Sequence, residues 1–166
     1  MKILILGGIK SGKSAFALKL ASQFSEPRIF LATAQAFDEE MAKKIERHRR
    51  ERGHAWHTIE APIELPEALK EISSGGVVLI DCLTVWLGNL FYHQKDVDFY
   101  VEALVKNIES FSFPLVIVSN EVGLAPVPAD KETRKFAETL GLLNQKIARL
   151  CNHTYFMIAG KALIAK

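Results

Sequence analysis

Ile3-Leu4-Ile5-Leu6-Gly7-Gly8-Ile9-Lys10-Ser11-Gly12-Lys13-Ser14, residues 3–14, decides the fold. Four apolar residues predict a buried strand, and two glycines stop it. Gly7 to Ser14 then fits G-x-x-x-x-G-K-[ST] without a gap. Glycine lets the backbone curl until several N–H groups face inward, which is what phosphate oxygens require. The helix expected from Lys13 onward adds the positive end of its dipole. Lys13 can reach the β and γ phosphates, and Ser14 can ligate Mg²⁺. Gly7, Gly8, Ile9, Lys10, Ser11, Gly12, Lys13 and Ser14 are therefore expected to bind nucleotide phosphate. A glycine-rich turn that binds nothing is the alternative, and strand-before with helix-after argues against it.

A second apolar run, Val77-Val78-Leu79-Ile80-Asp81, ends in a carboxylate. This is the Walker-B arrangement, in which the acid stands beside the phosphate loop and holds Mg²⁺ directly or through water. An ordinary Asp capping the next helix reads the same way in isolation. Together the two motifs say nucleoside triphosphate and little more. No N-K-x-D string is present, and the protein-kinase motif set is missing.

Outward from these motifs, short apolar runs alternate with amphipathic stretches. Strands are expected at 3–6, 28–33, 77–81, 115–119 and 155–159, with an edge at 163–164. Helices are expected at 13–24, 38–52, 66–72, 82–91, 96–111 and 130–151. The strand runs are continuously apolar, which predicts a sheet covered on both faces and a mainly parallel one, since helices make the crossovers. The expected fold is α/β and P-loop NTPase-like: a three-layer domain spanning 1–166, with ligands at the carboxyl ends of the strands.

Composition agrees. The chain has 166 residues, 49% hydrophobic and 24% charged, with a net charge of +2. These values fit one globular domain, and so small an excess supports neither a nucleic-acid partner nor a membrane-surface role. No run reaches the length of a membrane span, and no signal peptide is recognisable. Two cysteines, Cys82 and Cys151, are too few for a disulfide framework and read as buried thiols in a reducing, cytoplasmic setting.

Charge is nonetheless concentrated. Residues 43–52 hold six basic and two acidic side chains. On a helix His48 has Lys44 and Arg52 four residues to either side. Two nearby cations disfavour imidazolium, and a neutral imidazole can attack phosphorus. Arg49, Arg50 and Arg52 could hold phosphates in their guanidinium forks. A second reading of the same stretch is structural: acids begin the helix and arginines end it, which complements the macrodipole, and His48 shares a stripe with Met41 and Ile45. His54 and His57 compete for the nucleophilic role. Ala32-Thr33-Ala34-Gln35, Glu60 and Ser119-Asn120-Glu121-Val122-Gly123 stand at or after strand ends and read either as structural loops or as parts of a site.

The strings ILGGIKSGKS, FLATAQAFDEEMAKKIERHRRERGHAWHTIE, VVLIDCLTVWLGNL and VSNEVGLAPVP, followed by RKFAETLGLLNQKIARL, together resemble one family over nearly the whole chain. That family is the bifunctional adenosylcobinamide kinase / adenosylcobinamide-phosphate guanylyltransferase of cobalamin biosynthesis. The resemblance implies that ATP or GTP phosphorylates adenosylcobinamide. GMP then passes from GTP to the new phosphate through a GMP–histidine intermediate. It implies His48 as that histidine and Lys13 as the second catalytic residue. Ala32, Thr33, Ala34, Arg49, Arg50, Glu51, Arg52, Glu60 and Asp81 would join the phosphate loop around the nucleotide, Ser14 and Asp81 would hold Mg²⁺, and the assembly would be a homotrimer. One departure is the loop Gly123-Leu124-Ala125-Pro126-Val127-Pro128, where Ala125 and Pro126 stiffen a segment that other members build differently. A plain small-molecule kinase and a non-catalytic nucleotide switch are the rival readings.

Overall fold

The computed structural model describes residues 1–36 and 39–165, without the side chains of Lys44, Arg47, His48, Glu51 and Arg52. Asp38, expected to open the second helix, and the side-chain roles expected of His48, Glu51 and Arg52 lie outside the described residues.

Strands and helices alternate as β1 (Lys2–Gly7), α1 (Lys13–Ala21), β2 (Arg28–Ala32), α2 (Glu39–Arg52), β3 (Trp56–Glu60), α3 (Leu65–Lys70), β4 (Val77–Asp81), α4 (Leu83–Tyr92), α5 (Val97–Ser110), β5 (Leu115–Val118), α6 (Lys131–Leu150), β6 (His153–Ile158) and β7 (Lys161–Ile164). All the strands join one sheet in the order β3-β2-β4-β5-β1-β6-β7. Every pairing is parallel except β6 with β7. The mainly parallel sheet expected from the apolar runs is what forms.

Both faces are covered, unequally. Alternate residues of β1, β4 and β5 supply each core. Leu4, Val78, Ile80, Leu115 and Ile117 pack with α3, α4, α5 and α6, where Leu65, Trp86, Leu104, Leu140 and Ile147 are buried. Ile3, Ile5, Val77, Leu79, Val116 and Val118 face α1 through Ala17 and Ala21, with Phe16, Leu20 and Phe24 packed against them. Each large apolar side chain removed from water in this way contributes about 1.5–3 kcal/mol. The inward stripes expected on α5 and α6 are the ones buried, at Val101, Leu104 and Ile108 and at Leu140, Leu143 and Ile147. Asp130 opens α6 as its cap, accepting the backbone N–H of Thr133 at 2.7 Å.

Two elements and one side chain depart from expectation. β3 was not foreseen: it is an edge strand reading Trp-His-Thr-Ile-Glu, half-buried at best, so its apolar signal is weak. α1 ends at Ala21 instead of Phe24. There the chain tightens to shorter-range bonds, Gln23 N–H to Leu20 O and Phe24 N–H to Ala21 O, while the Arg28 guanidinium binds the freed carbonyls of Ser22 and Phe24. Cys82 is half-buried, not buried like Cys151. α2 adds little to either core, since Ile45 is the only half-buried residue among its described side chains.

Candidate active site

Parallel pairing aligns the strand ends in one row. Ala32 lies opposite Glu60 on one side and Asp81 on the other, Asp81 lies opposite Val118, and Val118 opposite Ile5. The phosphate loop leaves β1 just beyond Ile5. The loop after β1, the carboxylate of β4 and the residues after β5 therefore meet at the carboxyl edge.

Here a cavity of about 380 Å³ is walled by residues 9–15 together with Asp81, Cys82, Val118 and Asn120. Gly12 caps α1 in the left-handed conformation, with φ at 96°. A Cβ added to Gly7 would lie 2.6 Å from the Met157 carbonyl oxygen and 2.7 Å from Ser11 Oγ, so the loop closes only on glycine. The turn between β6 and β7 braces it from behind: Gly160 N–H donates to Ser11 O at 2.9 Å, and a Cβ on Gly12 would press to 3.3 Å of Gly160 Cα. Glu121 N–H donates to Gly7 O at 3.0 Å and ties on the loop after β5.

Lys13 is 8% exposed, and its Nζ donates to the Gly8 carbonyl at 2.6 Å. Burial lowers its pKa, opposed at neutral pH by the negative charge of Asp81. A desolvated ammonium is drawn to any anion entering the loop. Ser11 Oγ is buried and makes no hydrogen bond among the described residues, a spare donor in the same cradle. Ser14 and Asp81 present a hydroxyl and a carboxylate to the one cavity, and hard oxygens of this kind suit the Mg²⁺ that accompanies a triphosphate. The Cys82 thiol is pushed up to about 11, first by burial and then by the Asp81 charge, so at neutral pH it is a neutral wall of the cavity and not a nucleophile.

The structure gives Thr33 a structural task. It is fully buried. Its hydroxyl donates to Cys82 O at 2.9 Å and accepts from Cys82 N–H at 2.8 Å. Its carbonyl accepts from Asn89 Nδ2 at 2.8 Å, and Asn89 also holds Pro62 O at 3.0 Å. One amide on α4 thus ties together the segments after β2 and β3, and one hydroxyl fixes the peptide next to Asp81. Thr33→Val removes two buried hydrogen bonds and is expected to lower stability by about 2 kcal/mol, whereas Thr33→Ser stays near the parent. Urea unfolding measures both, and an unchanged midpoint for the valine variant would refute this role.

None of the described side chains of the basic helix lines this cavity. Because β2 and β3 run parallel, α2 starts near the carboxyl edge and ends near the opposite one, where β3 begins. Arg49 and Arg50 accordingly line a separate cavity of about 610 Å³ with Glu46, His54, Trp56, His57 and Thr58. Arg50 Nε lies 3.0 Å from Glu46 Oε1. Glu60 is exposed at the end of β3, level with Ala32. The cavity residues that sequence reasoning left without an assigned role are Ala15, Cys82, Val118 and Asn120. The S-N-E-V-G string after β5 was the available signal for the last of them.

A glycine-braced loop, a buried lysine and a strand-end carboxylate around one cavity define a P-loop nucleotide-binding α/β protein. Residues 3–164 match the family model described as cobinamide kinase / cobinamide phosphate guanyltransferase. The chain belongs to that family, whose members are transferases of cobalamin biosynthesis. It is 39% identical over 163 residues to the bifunctional adenosylcobalamin biosynthesis protein CobP of Pseudomonas aeruginosa, covering 96% of this chain and 94% of that protein. It is 32% identical over 176 residues to the corresponding CobU protein of Escherichia coli, covering 96% and 97%. Among solved structures, the P4 protein from bacteriophage phi6 in complex with ADP aligns at a TM-score of 0.48 and 16% identity, over 97% of this chain and 52% of that one. No described helix is long and apolar enough to cross a membrane.

Proposed function

We propose that the chain, acting as one domain over residues 1–166, phosphorylates adenosylcobinamide with ATP or GTP and then guanylylates the product with GTP. The observation that carries this reading is the single cavity shared by Lys13, Ser14 and Asp81, in a chain of the cobinamide family. In the first reaction the hydroxyl oxygen of the aminopropanol arm attacks the γ-phosphorus. The bond to the β,γ-bridging oxygen breaks, the nucleoside diphosphate leaves with the electron pair, and the hydroxyl proton passes to solvent. Lys13 and the N–H groups of the loop bear the charge on the phosphate oxygens. Mg²⁺, held by Ser14 and Asp81, would supply further neutralisation of the β and γ oxygens.

In the second reaction a neutral His48 nitrogen attacks the α-phosphorus of GTP and expels pyrophosphate. An oxygen of adenosylcobinamide phosphate then attacks the same phosphorus, and the P–N bond breaks to free the imidazole. Ala32, Thr33 and Ala34, Arg49 to Arg52 and Glu60 belong to the nucleotide contacts in this proposal, with the buried hydroxyl of Thr33 also bracing the site from within. The Arg49–Arg50 half of α2 lines its own cavity, so guanylyl transfer needs α2 to bring His48 to the α-phosphate, within one chain or across the homotrimer that we also propose. Free thiols at Cys82 and Cys151 support a cytoplasmic setting.

That same separation favours a rival, a simple kinase without guanylyl transfer. The two are told apart by supplying adenosylcobinamide with γ-labelled ATP or GTP, and then α-labelled GTP. Successive transfer of both labels to the corrinoid is expected. Transfer of the γ label alone would leave the kinase and refute the second activity.

A further inference from the structure

Asn120 is the remaining polar side chain in the wall of the phosphate cavity, and nothing above gives it a task. It follows β5, the strand lying between the phosphate-loop strand β1 and the Asp81 strand β4. It therefore leaves the sheet between the strand that feeds the phosphate loop and the strand that ends in Asp81, and it lines the cavity together with Lys13 and Asp81.

Unlike the loop that follows it, Asn120 is fastened on both sides. Its N–H donates to Thr84 Oγ1 at 2.7 Å, and its carbonyl accepts from Asn144 Nδ2 at 3.0 Å. Thr84 Oγ1 lies 3.4 Å from Ser119 Oγ, and Ser119 and Asn144 are buried. Ser119 N–H donates to Ile5 O at 3.0 Å, and Glu121 N–H donates to Gly7 O at 3.0 Å, so both neighbours of Asn120 are stitched to the phosphate-loop strand. Two helices, α4 and α6, hold one residue by its backbone and leave its amide uncommitted. The Asn120 side chain makes no hydrogen bond among the described residues. One half-buried and one buried polar side chain, Thr84 and Asn144, spent on the backbone of a single residue imply that its position matters.

We propose that Asn120 is a catalytic residue for phosphoryl transfer, its amide N–H₂ donating to the γ-phosphoryl oxygens between Lys13 and Asp81, with Thr84 and Asn144 as its positioning residues. This deepens the function proposed above and rests on it. A neutral amide suits the place. It offers a donor to charge that spreads over the γ oxygens in the transition state, and it adds no further negative charge beside Asp81. An Asp in its place would set a second carboxylate against the phosphates. The contact grows with charge on the γ-phosphoryl group, so it acts on kcat more than on nucleotide binding. In guanylyl transfer the γ group only departs as part of pyrophosphate, and the same contact matters less.

The test compares kcat and KM for adenosylcobinamide phosphorylation, the Kd of GTP, and the yield of enzyme-bound GMP from α-labelled GTP. Asn120→Ala and Asn120→Asp are expected to lower the phosphorylation kcat by about 100-fold. In Asn120→Ala the Kd of GTP should shift by less than about threefold, and GMP labelling should fall by less than the kinase rate, whereas the added charge of Asn120→Asp should weaken GTP binding as well. Thr84→Val should reproduce part of the kcat loss and Thr84→Ser should restore it. Thr84→Val should add nothing further to Asn120→Ala, because both act on one amide. Parental kcat in Asn120→Ala overturns the assignment. So does equal loss of kcat, nucleotide affinity and GMP labelling, since that pattern marks a merely structural residue. Absence of phosphoryl transfer by the unaltered chain would instead sink the parent reading, and this assignment with it.

Discussion

His48→Ala is expected to abolish formation of enzyme-bound GMP, by at least about 1,000-fold, while cobinamide phosphorylation stays within about threefold of the parent. The asymmetry follows from the roles. Losing a nucleophile removes the covalent step outright, and such losses are among the largest that single substitutions produce. The phosphate loop, Asp81 and Asn120 lie in a cavity that no described side chain of α2 walls, so the kinase step should survive. The measurement is label retained from α-labelled GTP after denaturation, run beside a γ-label kinase assay. Full labelling in the alanine variant would move the nucleophile elsewhere, with His54 and His57 of the neighbouring cavity the first to test.

Lys13→Ala is expected to reduce both reactions by roughly 100–1,000-fold. Lys13 is the one buried cation among the described residues, its ammonium already stripped of much of its water, and a single cradle would serve both triphosphate uses. Steady-state rates for each reaction decide the point. A variant that lost phosphorylation yet kept guanylyl transfer would show that GTP is held elsewhere for the second step. The Arg49–Arg50 cavity would then be the place to look.

The residues that made the fold legible were those whose signal is local. Gly7 to Ser14 carries its structure in its own spacing, and Val77 to Asp81 in its unbroken apolar run, so both emerged with the right neighbours. β3 stayed hidden because an edge strand needs little burial: His57 and Glu60 break the apolar pattern that marks the central strands. The polar ties around the site were hidden for another reason. Thr33 meets Cys82 across 49 positions and Asn89 meets Thr33 across 56, and no periodicity records so distant a partner. Asn120 could be placed at a strand end from sequence. That Thr84 and Asn144 hold it in the cavity of Lys13 and Asp81 depends on strand order, which puts β5 between β1 and β4. The basic helix shows the opposite limit. Its charge is plain in the sequence, yet the parallel β2–β3 pairing carries Arg49 and Arg50 to a cavity apart from the phosphate loop.

Peptide mapping by mass spectrometry, after brief incubation with GTP and Mg²⁺ and digestion under alkaline conditions, tests the covalent route most directly. One GMP on the α2 peptide at His48, removed by acid and chased onto adenosylcobinamide phosphate, is the predicted result. GMP on any other residue, or transfer to the corrinoid with the chain never carrying GMP, would contradict it.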